Sequence, residues 1–197
     1  MDNQMLITAQ QAIKMFNDKS EPYEWLLTQL FQQYPHNTDP RHVWLKVAIL
    51  NVIYSTRIQA VSKVAEHIHN LKEIDHLLAD GSTDAVKRIA NVQIGEKKRC
   101  FYSFATKYCN WHNPTAYPIF DKNVCACLTH YSKKDGFDTF TLDGLWRYPK
   151  FKNVVDEFQK RYHLESLSYK ELDKFMWQHG GELIKSKADA KSRGATA

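Results

Sequence analysis

The sequence predicts an all-α protein. Only 7 of its 197 residues are glycine, and no long run alternates between apolar and polar residues as a half-buried strand does. Apolar residues recur instead at helical spacing, as they do between Ile58 and Asn70. The chain is 43% hydrophobic and 13% aromatic. That composition supports a packed core and is unlike that of a disordered protein.

Three helices are predicted in the first quarter of the chain. The first covers residues 4–16. Ser20 can cap a second helix, which has Pro22 near its first turn. Asp39 followed by Pro40 is a start signal for the third. Its run VWLKVAILNVIY is apolar nearly all round, which indicates a central, buried helix.

The remaining segments also have helical patterns. Predicted helices cover residues 58–70, 73–79, 82–90, a segment ending near 108, 121–131, 148–162 and 168–179. The last begins with a capping box from Ser168 to Glu171, and we expect it to stop at Gly180-Gly181. Residues 185–197 are polar and unpatterned, which predicts a disordered tail. We expect residues 1–184 to form one helical domain with two lobes.

Charge and cysteine usage limit the function classes. The net charge is +5 and the sequence pI is near 8.9, which fits a nucleic-acid partner or simply a solvated basic surface. No apolar run reaches the roughly 20 residues of a membrane span, and the N-terminus has no signal-peptide pattern. The four cysteines form no C-x-x-C pair. These features predict a reduced, cytoplasmic protein without a membrane partner.

The segment from Ile89 to Val124 carries the most chemical information. Gly95 marks a tight turn, and we predict that a helix begins directly after it, with Lys97, Lys98 and Arg99 in its first turn. Backbone N–H groups at a helix start bind phosphate. Cations there oppose the helix dipole, so their placement makes more sense if they receive an anion. The alternative is an ordinary solvated basic patch.

Asp121 opens the next predicted helix. Aspartate is a good N-cap residue, and this role alone explains its position. A carboxylate held rigidly at a helix start can also face a cleft. There it can stabilise an oxocarbenium-like sugar or deprotonate a nucleophile. The two interpretations are compatible.

This layout resembles the helix–hairpin–helix DNA glycosylase superfamily, which contains the 8-oxoguanine and 3-methyladenine glycosylases. IANVQIG stands where that family has its L-P-G-V-G-like hairpin, and TAYPIFDKNV is similar to its loop ending in P-V-D-x-H-V. The resemblance implies a two-lobed glycosylase-like fold, with Asp121 as the catalytic aspartate and Gln93 and Gly95 in a DNA-binding hairpin. Upstream, ILNVIYSTRIQAVSKVAEHI is similar to the segment that probes the gap left by an extruded base. On this chain those probing residues are Ser55, Thr56 and Arg57.

The resemblance also implies roles for lysine and for a base pocket. Bifunctional members of the family carry a lysine after the hairpin that forms a Schiff base with the sugar, and this position falls on Lys97, with Lys98 adjacent. The alternative for both is phosphate contact. Gln93 replaces the first glycine of the family hairpin, and CNWHNPTAY widens the loop before the aspartate. We expect Trp111 and His112, placed in that loop, to line the pocket for the extruded base.

The implied activity is excision of a damaged or modified base from double-stranded DNA by cleavage of the N-glycosidic bond, with or without abasic-site lyase activity. The alternative is a non-catalytic DNA-binding module of the same fold. A third possibility is a helical protein–protein interaction domain. We expect a monomer without a cofactor. A metal site is not predicted, because residues two apart on a helix, such as Cys125 and Cys127, point to different sides.

Overall fold

The computed structural model describes residues 4–194. These residues form nine α-helices, one 3-10 turn and one two-stranded sheet, so the predicted all-α class is confirmed. The helices are α1 Gln4–Gln33, α2 Pro40–Ile53, α3 Val61–His69, α4 Ile74–Ala79, α5 Thr83–Ala90, α6 Tyr102–His112, α7 Lys122–Asp135, α8 Tyr148–Arg161 and α9 Tyr169–Gly194. The strands are β1 Asn91–Ile94 and β2 Lys97–Cys100, and the 3-10 turn is Asp143–Trp146. No helix in residues 4–194 is long and apolar enough to cross a membrane.

The chain divides into two compact units. We call Ser20–Ile119 the central unit, and Met1–Lys19 together with Phe120–Ala197 the terminal unit. The core of the central unit includes Val43, Val47 and Leu50 of α2, all fully buried. The core of the terminal unit is rich in aromatic rings, among them the fully buried Phe151, Phe158 and Phe175.

The two predicted N-terminal helices are one helix. α1 runs without a break through Ser20 and has Pro22 in its interior, so Ser20 does not act as an N-cap. Proline removes one helical hydrogen bond and usually breaks or kinks a helix. Here the helix continues beyond it, and the later residues Leu27, Leu30 and Phe31 are buried. Burial of that apolar face offsets the local cost of the proline.

The predicted start of α2 is correct. The side chain of Asp39 accepts a hydrogen bond of 2.8 Å from the backbone N–H of Arg41, and Pro40 is the first helical residue. Proline at the first helical position costs no hydrogen bond, because the backbone N–H that it lacks would have no helical partner there. One side of α2 differs from the expectation of a wholly buried helix, since Trp44 and Val52 are exposed.

The predicted turn at Gly95 is correct, but the helix that was expected to follow it is not. Gly95 has a φ of 58°, which suits the first central residue of a two-residue hairpin turn. The chain then returns as strand β2, which pairs with β1 in antiparallel register. Lys97, Lys98 and Arg99 therefore lie on a strand, and α6 begins only at Tyr102. This arrangement removes the conflict between three cations and a helix dipole.

α9 does not stop at Gly180-Gly181. It continues to Gly194, so residues 185–194 are helical and the predicted disordered tail is wrong there; residues 195–197 lie outside the described part. The two glycines serve a close helix contact instead. A Cβ atom on Gly180 would lie 2.0 Å from the carbonyl oxygen of Asn123. The predicted capping box is present, because Ser168 N–H donates to Glu171 Oε2 at 2.8 Å and Glu171 N–H donates to Ser168 Oγ at 3.3 Å.

Candidate nucleic-acid interface and catalytic carboxylate

The hairpin of the central unit presents a row of cations. β1 and β2 pair from Asn91 opposite Cys100 to Ile94 opposite Lys97. Every residue of β2 is exposed, whereas Val92 of β1 is buried and holds the hairpin to the unit. Gln93 Nε2 donates a hydrogen bond of 2.7 Å to the carbonyl oxygen of Gly95, which braces the turn. The five predicted DNA-binding residues of this region therefore lie together on one projecting element.

A second predicted DNA-binding segment, the turn between α2 and α3, has an unusual backbone. Ser55 and Arg57 have φ values of 49° and 60°, in the left-handed region that residues other than glycine rarely adopt. Asn51 builds this turn. Its Oδ1 accepts hydrogen bonds from Thr56 Oγ1 at 2.8 Å and from the Ile58 N–H at 2.9 Å.

The strain at this turn is stabilised by its surroundings. Asn51 Nδ2 also donates to the carbonyl oxygen of Ile58 at 3.0 Å, so one amide side chain makes three hydrogen bonds across the turn. Ile58 is buried and anchors the exit. Ser55 and Arg57 are exposed. Strained residues held in place and directed to solvent are typical of ligand-contacting positions.

The structure does not place Trp111 and His112 in a loop. They are the last two residues of α6, so the prediction that they lie in a widened loop is wrong. The indole N–H of Trp111 donates to the hydroxyl of Tyr54 at 3.0 Å, and its ring stacks on Phe31 at a centroid distance of 5.9 Å. Trp111 is buried and packs inside the unit. It nevertheless connects α6 to the end of α2, directly beside the strained turn.

His112 belongs to a buried polar cluster around Lys46. Lys46 is fully buried. Its Nζ donates to the carbonyl oxygens of Tyr34 and His36 at 3.1 and 3.0 Å, and to Asn37 Oδ1 at 2.8 Å. The Nε2 atom of His112 is 3.3 Å away. The ammonium group thus has four potential acceptors, which compensate for its lost hydration.

Asn37 is the centre of the same cluster. Its backbone N–H and its Nδ2 donate to the carboxylate of Asp75, with Nδ2 to Oδ1 at 2.6 Å. The hydroxyl of Tyr108 donates to Asn37 Oδ1, which also accepts from Lys46. The cluster ties the connection between α1 and α2 to α4 and α6. The rings of Phe31 and Tyr108 lie 5.6 and 5.7 Å from Lys46 Nζ, so cation–π contacts add to the cage.

The cluster shifts the titration of its members. Burial lowers the pKa of Lys46 to about 8, and the Asp75 carboxylate opposes this shift. Burial, together with the neighbouring Lys46, holds the pKa of His112 well below its usual value. Burial raises the pKa of Tyr108 far above its usual value. The sequence analysis missed this cluster. Its one signal was a single lysine within the otherwise apolar run VWLKVAIL.

In the terminal unit, Asp121 caps α7 as predicted. Its Oδ1 atom accepts hydrogen bonds of 2.9 Å from the backbone N–H groups of Asn123 and Val124. Its Oδ2 atom makes no hydrogen bond within residues 4–194. The side chain is partly exposed. The carboxylate is therefore fixed through one oxygen, and the other remains available.

α9 contacts the first turn of α7 and fixes its position. Asn123 Nδ2 donates to the carbonyl oxygen of Trp177 at 3.0 Å, one turn before the close contact of Gly180. Burial, with a smaller effect of the nearby Asp121 carboxylate, raises the pKa of the Cys125 thiol to about 12. No group of three or more metal-ligating side chains occurs in the described part of the chain.

The predicted site residues are thus divided between the units. The hairpin residues, the turn Ser55–Arg57 and the pair Trp111 and His112 belong to the central unit, and Asp121 belongs to the terminal unit. Within the central unit, Tyr54 connects the strained turn to Trp111. Lys107, which is 4% exposed, lies over the ring of Tyr54 at 5.3 Å.

Most of the central unit, with part of α1 before it, matches a known sequence family. Residues 8–116 match the family described as the HI_0787_N N-terminal domain, which is more than half of the chain. The chain belongs to this family. The HI_0787_N match includes the strained turn, the Lys46 cluster and the whole hairpin, and it ends before Asp121.

One relative of the chain is a protein of Haemophilus influenzae described as an uncharacterized protein. It is 44% identical over 138 residues, which are 70% of this chain and 66% of the relative. The match therefore spans slightly less than two thirds of that protein's length. No solved structure matches the chain.

Proposed function

We propose that this protein binds double-stranded DNA and excises a damaged or modified base by cleaving its N-glycosidic bond. The observation that carries the proposal is the projecting hairpin between α5 and α6, on which Lys97, Lys98 and Arg99 follow one another on an exposed strand. A cationic row of this kind matches the phosphate charge of a nucleic acid. The excision step is supported by the resemblance to helix–hairpin–helix glycosylases and by the fixed carboxylate of Asp121.

Asp121 suits the chemistry of glycosidic cleavage. Two backbone N–H groups hold Oδ1 at 2.9 Å, so the carboxylate has one orientation before substrate arrives. Its second oxygen can face the sugar. There a negative charge stabilises the oxocarbenium-like transition state, or accepts a proton from the attacking water. The turn with Ser55, Thr56 and Arg57 can fill the space that an extruded base leaves in the duplex.

The lysines suit DNA contact better than nucleophilic attack. An amine becomes a useful nucleophile when burial or neighbouring cations lower its pKa. Lys97 and Lys98 are both exposed on β2, so neither amine is desolvated by burial. We therefore propose hydrolysis with Asp121 as the principal route. Borohydride trapping on lesion-containing and abasic duplexes tests the lyase step. A trapped adduct that is lost in Lys97→Ala or Lys98→Ala would show that this lysine is the nucleophile.

The proposed reaction is tested with a panel of duplexes that each carry one damaged or modified base. We expect the wild-type chain to release one base from its duplex, and Asp121→Asn to bind the same duplex without releasing it. Asp39→Asn is the matched control, because Asp39 also caps a helix but has no proposed role in catalysis. Turnover by Asp121→Asn at the wild-type rate would contradict the assignment of the aspartate.

A non-catalytic DNA-binding module is the second candidate. The exposure of both lysines favours it, because phosphate contact needs exposed cations and a buried amine is not required. The two functions differ in one measurement. The binding module retains salt-dependent affinity for duplex DNA and releases no base from any member of the panel. A helical protein–protein interaction domain would show no salt-dependent affinity for DNA.

We further propose that the protein acts as a monomer in the cytoplasm. All four cysteines are free thiols, and their free state suits a reducing compartment. Sedimentation of the purified chain, with and without duplex DNA, measures its mass in solution and so tests whether it is a monomer.

A further inference from the structure

The hairpin has two distinct faces. In an antiparallel pair, residues directly opposite each other point to the same side. Val92 opposite Arg99, and Ile94 opposite Lys97, therefore share the face on which Val92 is buried. We call the other side the outer face.

The outer face is formed by two opposite pairs, Asn91 with Cys100 and Gln93 with Lys98. All four of these residues are exposed.

The outer face offers polar groups that fit the edges of bases. Asn91 Nδ2 donates to the carbonyl oxygen of Lys87 at 2.7 Å, and Gln93 Nε2 donates to Gly95 at 2.7 Å. These bonds fix both amide planes and leave their oxygens free to accept. Lys98, directly opposite Gln93, adds a donor. Amide and lysine side chains are the groups that hydrogen-bond purine and cytosine edges in DNA grooves.

The surroundings of the hairpin are cationic. Lys87 and Arg88 lie in the last turn of α5 and are exposed, and Arg88 is paired with Asp84 at 2.6 Å. Lys97 and Arg99 point from the other face and flank the outer face along β2. Glu96, at the turn, is the one acidic residue of the segment from Asn91 to Cys100. A ribbon with cations on both sides is complementary in charge to two phosphate backbones.

We propose that the outer face of this hairpin enters the major groove of duplex DNA, where Gln93, Lys98 and Asn91 face the edges of the bases. The inference rests on the proposed DNA binding and deepens it by assigning the groove. The major groove is about 12 Å wide and admits a two-stranded ribbon. Four residues per strand extend roughly 10 Å, which corresponds to about three base steps.

This geometry differs from phosphate binding by a helix start. Phosphate binding of that kind uses backbone N–H groups in the first turn of a helix. The cations here end before α6 begins, and the N-cap residue Phe101 donates its own N–H to the carbonyl oxygen of Ala90 at 2.8 Å. The side chains of β2 are therefore the groups that contact the DNA. Lys98 reaches into the groove, while Lys97 and Arg99 contact the phosphates at its rim.

Chemical footprinting tests this assignment. Dimethyl sulfate methylates guanine N7 in the major groove and adenine N3 in the minor groove. Duplexes bound by the full-length chain should show N7 protection over about three successive base steps and unprotected N3. Protection of N3 with N7 fully reactive would overturn the proposal. So would tighter binding to duplex RNA than to duplex DNA, because the major groove of RNA is too narrow for side chains to read.

A matched pair of variants separates the two faces. Lys98→Ala and Lys97→Ala each remove one charge from neighbouring exposed positions of β2, but only Lys97→Ala removes a phosphate contact and should reduce the salt dependence of binding by about one charge. Lys98→Ala should abolish N7 protection and weaken binding about tenfold, whereas Lys97→Ala should leave the footprint unchanged. Equal footprints for the two variants would overturn the groove assignment. Absence of wild-type binding to any duplex would instead overturn the proposed function itself.

Discussion

Gly180 of α9 lies so close to Asn123 of α7 that a Cβ atom on Gly180 would be 2.0 Å from the Asn123 carbonyl oxygen. Real Cβ atoms essentially never approach within 3.0 Å, and the neighbour is main chain that cannot rotate away. The contact fixes the first turn of α7, which Asp121 caps. α7 and α9 can therefore pack this closely only because residue 180 is glycine.

Gly180→Ala should destabilise the terminal unit. Alanine gains about 1 kcal/mol of helix propensity, but the forced separation of α7 and α9 should give a net loss of about 2 kcal/mol. The midpoint of urea denaturation, compared with that of the wild type, measures this loss of stability. Gly181→Ala is the control, because its Cβ would be 3.2 Å from the Asn123 side chain, so a shift of a few tenths of an ångström would relieve the contact. A midpoint for Gly180→Ala at or above that of Gly181→Ala would contradict the account.

Asp121 should contribute to stability as well as to the proposed chemistry. Asp121→Ala removes the acceptor of two backbone N–H groups and should cost about 1 kcal/mol of unfolding free energy, while Asp121→Asn should cost only a few tenths because asparagine also caps helices. Urea denaturation of the two variants provides the comparison. If Asp121→Asn were as destabilised as Asp121→Ala, its loss of activity would say nothing about the charge.

Replacing Lys46 by methionine should destabilise the central unit. Lys46→Met keeps most of the side-chain volume but leaves the carbonyl oxygens of Tyr34 and His36 without this donor, while Asn37 Oδ1 still accepts from the Tyr108 hydroxyl. Each buried acceptor left unsatisfied costs about 1–3 kcal/mol. The variant also avoids the cost of desolvating the ammonium group, which offsets part of this loss. We therefore expect the free energy of unfolding to fall by about 3 kcal/mol. Urea denaturation at pH 7 measures it, and a variant as stable as wild type would show that the cage is dispensable.

The same lysine gives a pH dependence with a defined sign. Its pKa is about 8 in the folded chain against an ordinary value of 10.5, so between these values the unfolded chain binds more protons than the folded one. Stability contributed by Lys46 therefore rises with pH over this window, by roughly 3 kcal/mol in total. The measurement is the difference in unfolding free energy between wild type and Lys46→Met from pH 7 to 10. A difference that shrinks with pH would contradict the lowered pKa.

Glycine at Ser55 or Arg57 should separate stability from DNA affinity. A non-glycine residue in the left-handed region costs roughly 1 kcal/mol, and relief of that strain should exceed the added chain entropy of glycine. Ser55→Gly and Arg57→Gly should thus be slightly more stable than wild type but bind duplex DNA more weakly. Glu73→Gly is the control, since Glu73 also has a φ of 60° and no proposed contact with DNA. An unchanged affinity for Arg57→Gly would remove this turn from the interface.

Local sequence signals predicted four of the helix starts correctly. Asp39, Ser82, Asp121 and Ser168 were each expected at a helix start, and each accepts backbone hydrogen bonds there. Such caps depend on a few neighbouring residues, so the sequence contains the whole interaction. The turn at Gly95 was predictable for the same reason, because the left-handed conformation there favours glycine.

Features that depend on distant residues were not predictable. Pro22 was read as a helix start because its tolerance inside α1 depends on packing. Gly180 was read as a helix end because its partner Asn123 is distant in sequence. Trp111 and His112 were assigned to a loop because the residues that they contact, Tyr54 and Lys46, lie at the C-cap and in the interior of the distant helix α2. Each error came from a local rule that a tertiary contact overrides.

The outer face of the hairpin carries one exposed thiol, that of Cys100, which can be labelled selectively. Alkylating reagents attack thiolates, and burial raises the pKa of Cys109, Cys125 and Cys127. Cys100 is the one exposed cysteine of the chain. A maleimide dye should therefore label Cys100 first, without any substitution, and place a fluorophore at the foot of the ribbon. Duplex DNA bound beforehand should slow that labelling, because Cys100 lies on the outer face that is proposed to enter the groove.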